Sequence, residues 1–180
     1  MRNFQSIIRL SNSLTSKHKK YVESYSQLSH VAGHAFVVAI TNIDQPYSFL
    51  SCQRPIEAVL HGYYVDEEAL LSAGNNGGEI KGEELLKVFK DNGSPIELGM
   101  FTTPAYKEIS AVIFSGCANW GKVRAISSDP SPGITFTAMR LNPASNTPHV
   151  IQCAKQHYEE NLLDGLRIYH NPYATYPVNP

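Results

Sequence analysis

Asp66, Glu79 and Lys81 have the residue types and the order of a divalent-metal hydrolase site, an aspartate followed downstream by a Glu-x-Lys run. Carboxylate oxygens bind Mg2+ as hard ligands, and a lysine beside them positions water or offsets developing charge. A three-residue pattern of this kind also arises by chance. The surrounding GGEIKGEE lacks the apolar flanks of a central strand. Asp66 and Glu68, in the run Asp66-Glu67-Glu68, would equally serve as acid and base on a glycosidic bond. The plainer role of that run is to favour a helix N-terminus through the dipole.

Two further groups are cationic. Lys17, Lys19 and Lys20 stand together in KHKKYVE. With Ser16 as cap they would occupy the first turn of a helix, where the dipole disfavours cations. That placement points either to a solvated face or to a need for positive charge beside phosphate. Trp120, Lys122 and Arg124 fall in SGCANWGKVRA, after an apolar run. A Gly-flanked turn with nearby cations receives phosphate or carboxylate, and an indole stacks on a base or sugar. The alternative is a turn whose tryptophan packs on a sheet edge. The seven histidines show neither HExxH-like spacing nor a cysteine at zinc-ribbon distance. Cys52, Cys117 and Cys153 are odd in number and widely spaced, a poor disulfide framework that fits a reducing, cytoplasmic setting.

The elements that must carry these groups read as alternating helix and strand. Tyr21, Tyr25, Leu28 and Ala32 recur at helical spacing, which predicts a helix over 17–32 closed by Gly33. AFVVAI at 35–40 predicts a strand buried on both faces, and ISAVIFSG at 109–116 a second central strand. ITFTAMRL at 134–141 reads as a third. Pro55 at a first helical position and Gly62 at the end frame a helix through IEAVLH. SAGNNGGEIKGE at 72–83 is a loop or hairpin tip, and EELLKVFKDNG is a short helix or a strand running into a turn. HYEENLLDG reads as a helix with a glycine stop, and GLRIYHNPYATYPVNP as a strand and a proline-rich tail. This succession predicts an α/β fold, a central mixed sheet with flanking helices in a single domain over residues 1–180.

Composition narrows the function. Fifteen basic against sixteen acidic side chains give a net charge of −1, which excludes a nucleic-acid clamp working by bulk charge. A hydrophobic content of 42% with 17% charged residues excludes global disorder. No apolar run reaches the length of a membrane span. The N-terminal MRNFQSIIRLSNSL has neither the continuous apolar core nor the cleavage site of a signal peptide.

The segments SNSLTSKHKKYVE, HAFVVAI, RPIEAVLHGYYVDEEA, IELGMF, EISAVIFSGCANWGKV and DGLRIYHNPYATYP, taken in that order, resemble the C-terminal half of an uncharacterised bacterial protein family. The resemblance implies a restriction-endonuclease-like, PD-(D/E)xK-type core in the intact protein, with some members labelled glycosaminidase. It implies that the metal-binding carboxylates lie upstream of this segment, with Lys17 and Lys20 facing the nuclease-like site. Glu79 and Lys81 are not where that pattern puts its ligands. The expected function is therefore a nuclease-like hydrolase or its remnant, acting on nucleic acid with Mg2+. The alternatives are a non-catalytic binding module and a glycoside hydrolase. A missing N-terminal half would also leave apolar surface exposed and favour self-association.

Overall fold

A computed structural model describes residues 2–43, 53–65, 82–127, 135–140 and 149–178. The chain forms two compact units, one of Met1–Gly116 with Leu166–Pro180, the other of Cys117–Gly165. The architecture is mixed α/β, with a small mixed sheet and three helices among the described residues.

In the first unit, α1 spans Arg2–Glu23. Ile7, Leu10, Leu14 and Tyr21 are buried, three, four and seven apart, so one stripe of the helix faces the core. The helix thus begins well before Ser16 and stops short of Leu28, in contrast to the predicted span 17–32. The apolar period carries it through SNSLTS, whose serines, asparagine and threonine are weak helix formers on their own. After Ser24 a 3-10 turn at Tyr25–Gln27 replaces the expected continuation. Lys17, Lys19 and Lys20 consequently lie toward the C-terminal end of α1, where the dipole favours cations. No electrostatic anomaly needs explaining there.

The sheet joins β1 (Phe36–Thr41), β6 (Ile109–Ser115) and β9 (Leu166–His170) in the order β1-β6-β9. β1 runs parallel to β6 and β9 antiparallel to it. β6 is central, with Ile109, Ala111, Val112 and Phe114 almost fully buried. Among the described residues β1 is an edge, and its alternate residues Val37 and Ala39 are exposed. The expectation of burial on both faces is therefore corrected. A short apolar run reads the same whether one face or two is covered.

Between β1 and β6, α2 (Arg54–His61) buries Ile56, Val59 and Leu60 against α1 and the sheet. Gly62 ends it in the left-handed region at φ 66°. The last carbonyls of α2 are taken by the following chain, with Met100 N donating to Val59 O at 3.0 Å and Phe101 N to Leu60 O at 2.8 Å. Two small hairpins complete the unit. One pairs β2 (Tyr63–Val65) with β3 (Gly82–Glu84), the other β4 (Lys87–Phe89) with β5 (Pro95–Glu97). KVF is thus a strand, the second of the two predicted options.

In the second unit, α3 (Trp120–Ile126) is capped by Asn119 Oδ1, which accepts from Lys122 N at 3.1 Å. β7 (Thr135–Arg140) forms as predicted but pairs with β8 (His149–Ala154), not with the three-stranded sheet. The expected helix in HYEENLLDG is absent. A 3-10 turn covers Lys155–His157, and the Asn161 side chain takes the Leu163 N–H at 3.0 Å. Side-chain capture of a backbone donor competes with a helix at that point.

Candidate functional site

The features with chemical potential in the first unit gather where α1 runs beside the edge of β1. Ser6, Arg9, Ser13, Lys17 and Lys20 each stand one position before Ile7, Leu10, Leu14, His18 and Tyr21. One residue along a helix turns it by about 100°. A polar and basic stripe therefore flanks the buried one along the whole length of α1.

That stripe and β1 enclose two openings. One, of about 250 Å3, is lined by Ser6, Arg9, Leu10 and Ser13 of α1 and by Ile40, Thr41, Asn42 and Ile43. The other, of about 260 Å3, is lined by Lys17, Lys20 and Tyr25 and by Phe36, Val37, Val38 and Ala39. They follow one another along β1, the first at its C-terminal end. The stack of Tyr21 on Phe36, ring centroids 4.1 Å apart and planes 10° from parallel, fixes the helix beside the N-terminal end of the strand. Lys20 Nζ lies 5.5 Å from the centre of the Tyr25 ring. Lys19 pairs with Glu23 at 3.8 Å, whereas Lys17 and Lys20 make no ion pair among the described residues.

Two titratable pairs brace this unit. His18 Nε2 and Glu108 Oε2 are 2.8 Å apart. Burial pushes the Glu108 carboxyl up, but the hydrogen bond and charge of His18, a backbone hydrogen bond and Lys107 together hold it below the usual carboxylate range. Tyr169 on β9 faces the core beside Glu57 of α2. Burial first, then the Glu57 charge, push its phenol up to about 12, against an opposing pull from Arg167. The His61 ring sits 5.9 Å from that of Tyr169.

Of the residues singled out from sequence, the structure brings Lys17 and Lys20 together on one opening. Asp66, Glu79 and Lys81 lie outside the described residues, as does Glu68. Trp120, Lys122 and Arg124 share α3 in the second unit. Trp120 is 80% exposed. Lys122 is turned inward, its Nζ donating to Asp164 O at 2.6 Å and lying 3.4 Å from Glu160 Oε1. Tyr158 donates to the same carboxylate at 2.9 Å and stacks on Phe136. Arg9, Ser6 and Ser13 escaped the sequence reading. Their signal was positional, each preceding a buried apolar residue by one.

Among the described residues no three histidine, cysteine or acidic side chains gather to hold a metal. No described helix is long and apolar enough to cross a membrane. No family model, curated protein or solved structure matches the chain.

Proposed function

We propose that the first unit is a binding module for an anionic partner, with the seam between α1 and β1 as its site. The observation that carries this reading is the pair of exposed lysines, Lys17 and Lys20, directed at one opening without a carboxylate partner among the described residues. Arg9 lines the neighbouring opening. A chain of near-zero net charge that concentrates cations along one seam attracts an anion locally, even though it has no bulk field to do so.

The test is a titration of labelled polyglutamate and of an oligonucleotide at low and at moderate salt. Binding that weakens with salt, and weakens by about tenfold with Lys17→Ala and Lys20→Ala combined, supports the reading. Binding indifferent to both substitutions overturns it.

A second reading is hydrolysis of nucleic acid on a restriction-endonuclease-like core, because these two lysines are the ones the family resemblance aims at phosphate. The resemblance puts the metal-binding carboxylates upstream of this segment, so cleavage by this chain alone would instead have to draw on Asp66, Glu79 and Lys81. Cleavage of plasmid DNA that requires Mg2+ and is lost with Asp66→Asn and with Glu79→Gln is the expected result for that reading. Intact plasmid at high protein concentration removes it.

A further inference from the structure

Every residue from Phe36 to Ile43 lines one of the two openings. Side chains alternate between the faces of a strand. A wall made of consecutive residues therefore follows the edge of the strand and not one face alone, although Val38 and Asn42 are themselves buried. Among the described residues β1 pairs with β6 on one side and with no strand on the other. Its outer N–H and C=O groups are the kind of unpaired row that takes up another extended chain. From this we propose that the seam receives an extended acidic peptide segment of a partner protein, which adds as a strand to the free edge of β1. The inference rests on the anion-binding reading above and names its partner.

The chemistry on each side of the slot agrees with this occupant. The β1 edge offers alternating donors and acceptors, which a peptide main chain matches and a phosphate backbone, carrying acceptors only, does not. The α1 side offers Lys17 and Lys20, with Ser13 on the neighbouring opening. Acidic side chains on the added strand would meet these cations. A second copy of this chain paired in parallel at the same edge is disfavoured, because the lysines of both copies would meet and like charges held close oppose the contact. β1 has six residues, so the complementary segment spans roughly 20 Å at about 3.3 Å per residue.

The full chain is titrated, by fluorescence anisotropy, with a labelled peptide alternating glutamate and valine, with the same peptide carrying methylated main-chain nitrogens, and with oligo(dT). The unmodified peptide is expected to bind most tightly, with methylation and the combined Lys17→Ala and Lys20→Ala substitutions each weakening it about tenfold or more. Methylation leaves the protein untouched, so its effect cannot come from misfolding. Equal binding of the methylated and unmodified peptides overturns strand addition and leaves anion binding standing. Tighter binding of oligo(dT) than of the peptide overturns it in favour of nucleic acid. A dimer seen by light scattering that the peptide cannot displace assigns the edge to a second copy and also overturns it. Failure of all three probes to bind overturns both this inference and the reading beneath it.

Discussion

His18 Nε2 and Glu108 Oε2, 90 positions apart in sequence, meet at 2.8 Å and tie the lysine-bearing part of α1 to the residue that precedes β6. Thr15 Oγ1 and the Tyr106 hydroxyl, 3.3 Å apart, repeat the link one turn earlier. The His18 ring rests on Tyr106 with centroids 4.8 Å apart. The seam is thus built on a helix held at several points.

Glu108→Gln is expected to destabilise the fold by about 1 kcal/mol near neutral pH, the scale of a partly exposed charge-assisted hydrogen bond. Glu108 has a lowered pKa in the folded state. Its stabilisation is therefore present above its unfolded pKa, about 4.3, and is lost as pH falls through the lower folded value. Urea midpoints of the two proteins should converge as pH falls through that acid range. A gap that persists at the lowest pH would show that the carboxylate is not its source.

Tyr169 predicts the opposite pH dependence. Its phenol is raised to about 12, so the folded state favours the neutral form. That contribution is complete below the unfolded pKa of about 10 and is lost as pH rises through the folded value. Between these limits the wild type should lose stability relative to Tyr169→Phe. Parallel alkaline melting curves for the two proteins would contradict this.

Lys122→Ala should cost the second unit about 3 kcal/mol. Lys122 and Glu160 each keep only 11% of their side-chain surface exposed, and removing one member of a buried pair strands the other charge. Trp120→Ala, at a side chain facing solvent, should change stability by no more than about 0.5 kcal/mol. Hydrogen exchange over residues 117–127 and 149–165 reads both, and equal protection in the two variants would refute the contrast.

Gly62→Ala should destabilise by about 1–2 kcal/mol, the cost of a left-handed residue bearing a Cβ. The added carbon would also meet Leu86 Cδ2 at 3.1 Å. Gly33→Ala is the comparison, since φ is 80° there but the space is open. Thermal unfolding should rank Gly62→Ala below Gly33→Ala.

Parts of the fold were legible because their signals are local. Pro55 and Gly62 bracket α2, and the seven-residue run Ile109–Ser115 is β6. The start of α1 was hidden, because SNSLTS favours caps and turns and only packing of Ile7, Leu10 and Leu14 carries the helix through it. The helix expected near Asn161 failed for a reason of the same kind, a side chain competing for a backbone donor. The site was half legible. Clustered charge drew attention to Lys17 and Lys20, whereas Arg9 stands alone between apolar residues. Whether a strand is an edge depends on which partners it finds, and β6 lies some seventy residues away, Val37 pairing with Ala111.

Ser115 and Leu166 face each other as the last register pair of β6 and β9. The chain departs for the whole of the second unit from one side of that pair and comes back to the other. To the sheet, residues 117–165 are a single connection, equivalent to the turn of an oversized hairpin. The entropy of closing such a connection grows only with the logarithm of its length, about 0.6 kcal/mol per doubling. Insertions, deletions or outright exchange of this segment would leave the register of β6 against β9 unaltered. The molecule thus has a port at which new sequence is accommodated without disturbing the old.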